Sequence, residues 1–273
     1  MPELPEVETV KNGLKKKILN KKITNCKILY DNIIAYPEKD KFINEIKNQT
    51  INDIKRRGKF LLFELDDYYL ISHLRMEGKY FVEKQNDPIR KHTHVIFHLD
   101  DHTDLRYHDV RRFGRMELME KSEDYRDFHG LGPEPFSEEF NALDAWKKCR
   151  NAKRSLKMTL LDQSFVAGIG NIYADEICFR SHLRPETQVS RISRKRWELI
   201  VESARAVLLE AIEHGGSTIR SYTSSLGVTG LFQLQIDVYG REGEPCHVCG
   251  STIKKVRHGQ RGTHFCPTCQ RRI

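Results

Sequence analysis

The chain has 273 residues, with 46 Lys and Arg against 38 Asp and Glu for a formal net charge of +8. Its 38% hydrophobic and 31% charged residues fit a globular protein with room for two domains and a small third module. No apolar run reaches the ~20 residues that span a bilayer, and Glu3, Glu6 and Glu8 stand where a secretory signal would be basic. A membrane-spanning or exported chain is therefore not expected, and the cytoplasm is. The positive excess favours a polyanionic partner, nucleic acid before an acidic membrane surface.

The chain opens MPELPEVETV, which on position alone reads as an ordinary helix start. Pro5 suits the first turn, Glu6 and Glu8 suit the positive end of the helix dipole, and Val7, Val10, Leu14 and Ile18 follow at helical spacing. From about 22 to 118 the texture changes to short β-rich runs, among them ITNCKILY, KFLLFEL, YYLISHL, THVIFHL and GRMELM. Such runs between polar or glycine-containing turns predict a sandwich or a barrel. HGLGPEPFSEEF at 129–140 reads as a boundary. Helical patterns follow in KRSLKMTLLDQ and, after the break AGIGN, in NIYADEICFRS. Ser193 is placed to cap a longer helix whose Trp197, Ile200, Ala204, Val207, Leu208 and Ala211 share a face. Residues 217–232 are rich in Ser, Thr and Gly and read as a loop.

Cys246, Cys249, Cys266 and Cys269 form two CxxC pairs separated by sixteen residues. This spacing suits four-thiolate tetrahedral zinc, a closed and therefore structural site; two disulfides or a redox pair are the competing readings. Cys26, Cys149 and Cys178 are scattered among apolar neighbours, as reduced core residues are. From Arg241 onward seven Lys or Arg stand against two Glu, which suits a phosphate backbone, with a protein-contacting zinc ribbon as the alternative.

PELPEVETV at 2–10, RRGKF at 56–60, AGIGN at 167–171 and GQRGTHFCPTCQR at the C-terminus together resemble the formamidopyrimidine-DNA glycosylase (Fpg/MutM) family. The resemblance runs over essentially the whole chain. It implies a multidomain α+β fold: an N-terminal β-sandwich flanked by helices at 1–133, a helix–two-turn–helix domain with a lesion-recognition loop at 134–235, and a four-cysteine zinc finger at 236–273 with one structural Zn²⁺. It implies a bifunctional glycosylase/AP lyase that acts on oxidised purines in duplex DNA, 8-oxoguanine and formamidopyrimidines. Its expected setting is the bacterial cytoplasm at the nucleoid, as a monomer with no obligate protein partner and no membrane association.

The resemblance also gives residues their roles. Removal of Met1 leaves Pro2 as a secondary amine, and α-amino groups titrate near about 8, so a useful fraction is neutral at pH 7. Pro2 attacks the sugar, Glu3 protonates the ring oxygen, and Glu6 handles protons or holds local structure. Lys59 contacts a phosphate near the lesion, and His73 a further phosphate. Met76, Arg111 and Phe113 fill the void left by the extruded base, with Arg112 on a phosphate. Asn171, at a helix start where it could also act as a cap, and Arg261 complete the phosphate grip; Ser217 is the candidate base contact. The sister endonuclease VIII branch, which prefers oxidised pyrimidines, and a non-catalytic zinc-containing DNA-binding protein are the alternatives. Leu4 and the run Arg111–Arg112–Phe113 argue against the former.

Overall fold

The computed structural model describes residues 1–125, 128–217, 232 and 235–273. They form two compact units: Met1–Phe128 with the segment that starts at Gly215, and His129–His214 with the segment from 232 to the C-terminus. Residues 218–231, most of the expected recognition loop, lie outside the described residues.

In the first unit, helix α1 (Leu4–Ile18) carries Pro5 in its first turn and buries Val7, Val10, Leu14 and Ile18, the face that the periodicity predicts. Strands and one helix follow as β1 (Ile23–Ile28), β2 (Ile34–Tyr36), α2 (Lys39–Ile46), β3 (Asp53–Arg57), β4 (Phe60–Glu64), β5 (Tyr68–His73), β6 (Lys79–Lys84), β7 (Thr93–Leu99), β8 (Thr103–His108) and β9 (Arg115–Glu120). They build two sheets, β1-β7-β8-β6 and β2-β9-β5-β4-β3, antiparallel except for β2 beside β9. Val95, Phe97 and Leu105 of one sheet share a core with Leu61, Phe63 and Leu70 of the other and with the apolar face of α1. Leu62 points to the opposite face, with Tyr69, Ile71 and Met119, as the two-residue period of a strand requires. The unit is thus a sandwich rather than a closed barrel.

β6 and β8 are not among the strands that the apolar runs predict. Their sequences, KYFVEK and TDLRYH, interleave charges, and Arg106 is buried to 1% exposure. Burial is tolerated because its guanidinium meets Asp104 at 2.9 Å, Glu83 at 3.0 Å, and the carbonyls of Lys84, Asp87 and Pro88. Those acceptors exist only after the strands have paired.

The second unit carries α3 (Ala142–Cys149), α4 (Leu156–Leu161), α5 (Asn171–Arg180), α6 (Arg194–Glu213) and the hairpin β10 (Lys254–His258) and β11 (Arg261–Phe265). Ser193 caps α6 by accepting the Arg196 N–H, and the six predicted apolar positions of α6 are buried. Among the described residues no helix is long and apolar enough to cross a membrane. Glu176 of α5 accepts the backbone N–H groups of Asp237, Val238 and Tyr239 at 2.8–3.0 Å. Burial pushes its carboxyl up to about 7 against the pull of these donors.

Lys157 and Asp175 pair at 2.7 Å with both side chains fully buried. Lys157 also donates to the Gly262 carbonyl and the Thr263 hydroxyl, while Asp175 accepts the His264 N–H. Together they bind α4 and α5 to β11. Lys157→Met should lower the stability of the second unit by about 3–5 kcal/mol, because the Asp175 charge is left buried without its cation. The double variant K157M/D175N should recover part of that loss. Urea unfolding of the intact protein measures both.

Candidate active site and nucleic-acid interface

At the start of the chain Pro2 is buried, and Glu3 and Glu6 are 2% and 5% exposed. Glu3 is the N-cap of α1 and forms a capping box with Glu6. One Glu6 oxygen, Oε2, accepts the Glu3 N–H at 2.8 Å. The other, Oε1, accepts the Ser217 N–H at 2.8 Å and its hydroxyl at 3.0 Å. Gly216 makes the close approach possible: its φ is +80°, and a Cβ there would lie 2.9 Å from Glu6 Oε1. Of the two roles expected for Glu6, local structure is the one that this geometry supplies. Ser217, the candidate base contact, donates its hydroxyl to Glu6 Oε1.

Lys59 lies in the tight turn between β3 and β4, beside Gly58 at φ +55°, and is only 6% exposed. A lysine before a strand usually stands in solvent; this one does not. Arg56 fixes the turn by donating to the Gly58 carbonyl at 3.0 Å and to Glu8 of α1 at 2.9 Å. Despite burial, Lys11 and Arg56 hold the Glu8 carboxyl below the usual carboxylate range. His73 ends β5 opposite Phe60, with the rings edge to face at 4.5 Å. Its Nδ1 accepts the Arg75 N–H at 2.9 Å, so in the neutral ring the proton sits on Nε2, and the imidazole is a donor.

Two turns of the same unit carry the expected void-filling residues. Met76, half-buried, lies in the turn between β5 and β6. Arg111, Arg112 and Phe113 are exposed in the turn between β8 and β9. Phe113 remains 48% exposed, and the Arg111 guanidinium lies 4.8 Å from the centre of its ring. Arg112, at φ +58°, stacks on Tyr30 at 4.9 Å. An exposed Phe beside cations is what contact with stacked, negatively charged strands requires.

In the second unit Gly170, not Asn171, is the N-cap of α5, which corrects the capping reading. Asn171 is the first helical residue, and its side-chain amide donates to the Gly262 carbonyl at 3.1 Å. The hairpin turns at Gly259 and Gln260, both at positive φ, and leaves Lys254, Lys255, Arg257 and Arg261 exposed. Lys157 and Asp175 support this hairpin from beneath. Their part was not legible in the sequence, where each is an unremarked charge in a helical run.

Cys246, Cys249, Cys266 and Cys269 bring their sulfur atoms within 4.8 Å of one another. Two of the separations are 3.8 Å and 3.4 Å. A tetrahedron of sulfurs about 2.3 Å from zinc has edges of about 3.8 Å, whereas a disulfide needs about 2.05 Å. The cage therefore fits zinc and not the disulfide alternative, and four protein ligands leave no open position for chemistry. Hydrogen bonds from the Ser251 hydroxyl and N–H pull the Cys249 thiol down, while burial pushes its neighbours Cys266 and Cys269 up. Burial also pushes Cys26 up to about 12 and Cys149 to about 11, as for inert core thiols.

Cys249→Ser should release the metal and weaken DNA binding while the sandwich still unfolds cooperatively. Atomic emission on the purified variant, paired with its thermal unfolding curve, checks this; retained zinc would contradict the four-cysteine assignment.

Three family models match the chain: "Formamidopyrimidine-DNA glycosylase N-terminal domain" at residues 1–116, "Formamidopyrimidine-DNA glycosylase H2TH domain" at 131–223, and "Zinc finger found in FPG and IleRS" at 243–272. The formamidopyrimidine-DNA glycosylase of Bacillus licheniformis is 47% identical, with all of both chains covered. That of Ligilactobacillus salivarius is 47% identical over 99% of each. Among solved structures, Lactococcus lactis Fpg bound to DNA with an abasic site has a TM-score of 0.93 at 40% identity, over 99% of this chain and all of that one. A variant of the same protein bound to Fapy-dG-containing DNA gives 0.94 over the same shares. With the sandwich, the helical unit and the sulfur cage in place, this chain belongs to the formamidopyrimidine-DNA glycosylase family.

Proposed function

We propose that the chain is a bifunctional DNA glycosylase and AP lyase that removes oxidised purines, 8-oxoguanine and formamidopyrimidines, from duplex DNA. The observation that carries this reading is the buried start of the chain, where Pro2 and Glu3 are held at the head of α1 by Glu6. The relatives caught on abasic-site and Fapy-dG DNA support the substrate class. Glu6, with both oxygens occupied by donors, is a positioning residue in this scheme.

Pro2 is small, which suits removal of Met1 by an aminopeptidase; Pro2 then carries a free secondary amine. Its lone pair attacks C1′ of the extruded nucleotide and the base departs with the glycosidic electron pair. Glu3 protonates the ring oxygen, the C1′–O4′ bond opens, and an iminium joins Pro2 to C1′. The iminium acidifies C2′, so loss of that proton expels the 3′ phosphate. A second elimination expels the 5′ phosphate. Lys59 and His73 hold phosphates near the lesion, and Met76, Arg111 and Phe113 occupy the emptied stack. Asn171 and Arg261 grip the backbone, and zinc shapes the hairpin that presents Arg261 without entering the chemistry. The protein works as a monomer in the bacterial cytoplasm.

Borohydride reduces an iminium to a stable amine. Incubation with an 8-oxoguanine:cytosine duplex and borohydride should give a covalent adduct on a denaturing gel. Protein with a verified Pro2 terminus that gives none would exclude the enzyme reading, and faster trapping on an oxidised pyrimidine would favour the endonuclease VIII branch. Affinity for the duplex should fall with salt at a log–log slope of about −0.9 per phosphate contacted; a flat response would contradict the phosphate grip.

A further inference from the structure

The residue that precedes the exposed run Val110–Phe113 is Asp109, and it is fully buried. Its Oδ1 accepts the Arg111 N–H at 3.0 Å, and its Oδ2 accepts those of Phe113 and Gly114 at 2.9 and 2.8 Å. Its carbonyl accepts the Arg112 N–H and meets His94 Nε2 at 2.8 Å. Its own N–H donates to the His92 carbonyl. One side chain therefore takes up three of the turn's backbone N–H groups, and Val110, Arg111, Arg112 and Phe113 are exposed.

The second element is Tyr107, two residues earlier and fully buried. Its hydroxyl fills the space that a side chain would need at two glycines. A Cβ on Gly114 would lie 1.7 Å from that oxygen, and a Cβ on Gly78 2.3 Å from it and 2.6 Å from the Leu74 carbonyl. Gly114 closes the turn that carries Arg111 and Phe113, and Gly78 closes the turn that carries Met76. The same hydroxyl is 3.5 Å from Asp109 Oδ2. A single phenol thus touches both turns and the carboxylate that shapes one of them.

We infer that Asp109 and Tyr107 are positioning residues that set the two void-filling turns as one preformed wedge, and so govern extrusion of the damaged base and discrimination of the base opposite it. The inference rests on the glycosylase reading above. Irregular backbone cannot satisfy its own N–H groups. Without Asp109 the turn would have to order itself on DNA at the moment of extrusion, and a preset turn avoids that entropic penalty. Filling the notch with a phenol rather than a side chain on either turn makes displacement of one turn felt by the other.

The test separates extrusion from sugar chemistry, because an abasic site has no base to extrude. Asp109→Asn keeps the shape but offers one acceptor oxygen in place of two. Tyr107→Phe keeps the ring packed on Tyr80 and removes the hydroxyl. In both variants excision of 8-oxoguanine should fall by up to about 10²-fold, the scale of an ångström-level misplacement. The preference for cytosine over adenine opposite the lesion should narrow. Borohydride trapping on a duplex with a preformed abasic site should stay within about threefold of the parent. Gly114→Ala should behave like Tyr107→Phe, or fail to fold, in which case the first two variants decide.

Unchanged excision and opposite-base preference in well-folded D109N and Y107F would overturn the inference. So would a parallel loss of abasic-site trapping, which would make the pair part of general stability or of the chemistry itself. Failure of the parent protein to trap an abasic site sinks the glycosylase reading and the inference together, and is distinguishable because it precedes any substitution.

Discussion

Backbone that must be irregular to present chemistry leaves N–H groups without partners, and in this protein buried carboxylates take them up. Glu6 accepts from Glu3 and Ser217, Asp109 from Arg111, Phe113 and Gly114, Glu176 from Asp237, Val238 and Tyr239, and Asp175 from His264. A carboxylate has two acceptor oxygens and no donor, so one side chain can hold several adjacent N–H groups where a neutral group could not. Each of these anchors ties a segment outside its own helix turn or strand to a regular element through backbone N–H groups.

The same device explains how a strongly basic protein keeps its functional cations outward. Several acids are withdrawn into the interior: Asp109, Asp175 and Glu176 are at most 2% exposed. Arg111, Arg112, Arg257 and Arg261 remain at the surface. Burial of a carboxylate is costly unless donors surround it, and the turns provide those donors. Fold stability and surface potential are therefore coupled through the same few side chains.

Zinc does for the C-terminal segment what the sandwich core does for the N-terminal one. The small cluster of Phe179, Val238, Cys246, Ile253 and Cys266 is too slight to hold a hairpin alone, and the sulfur cage supplies the remaining constraint. Lys157 and Asp175 then fix the hairpin to the helices beneath it. The order of dependence runs from metal to hairpin to Arg261, which is exposed at the start of β11.

Helix α1, the apolar strands, the cap of α6 and the four cysteines could be read from the sequence because each depends on local spacing or on one chemical type. Pro2 was singled out only through the family resemblance, because on position alone the start of the chain reads as an ordinary helix start. β6 and β8 could not be read, because the charge on Arg106 becomes acceptable only when strand pairing brings Glu83 and four carbonyls to it beside Asp104 of its own strand. Nor could the contacts that Asp109, Asp175 and Tyr107 make. Asp109 and the turn that it holds are adjacent in the chain, yet only the closed turn aims three N–H groups at one carboxylate. Ser217 and Glu6 lie more than two hundred residues apart, and only folding brings the Ser217 N–H and hydroxyl onto that glutamate. The sequence by itself determined which residues could react or bind metal; the tertiary structure decided which residues hold them, because satisfaction of buried polar groups is a property of three-dimensional proximity.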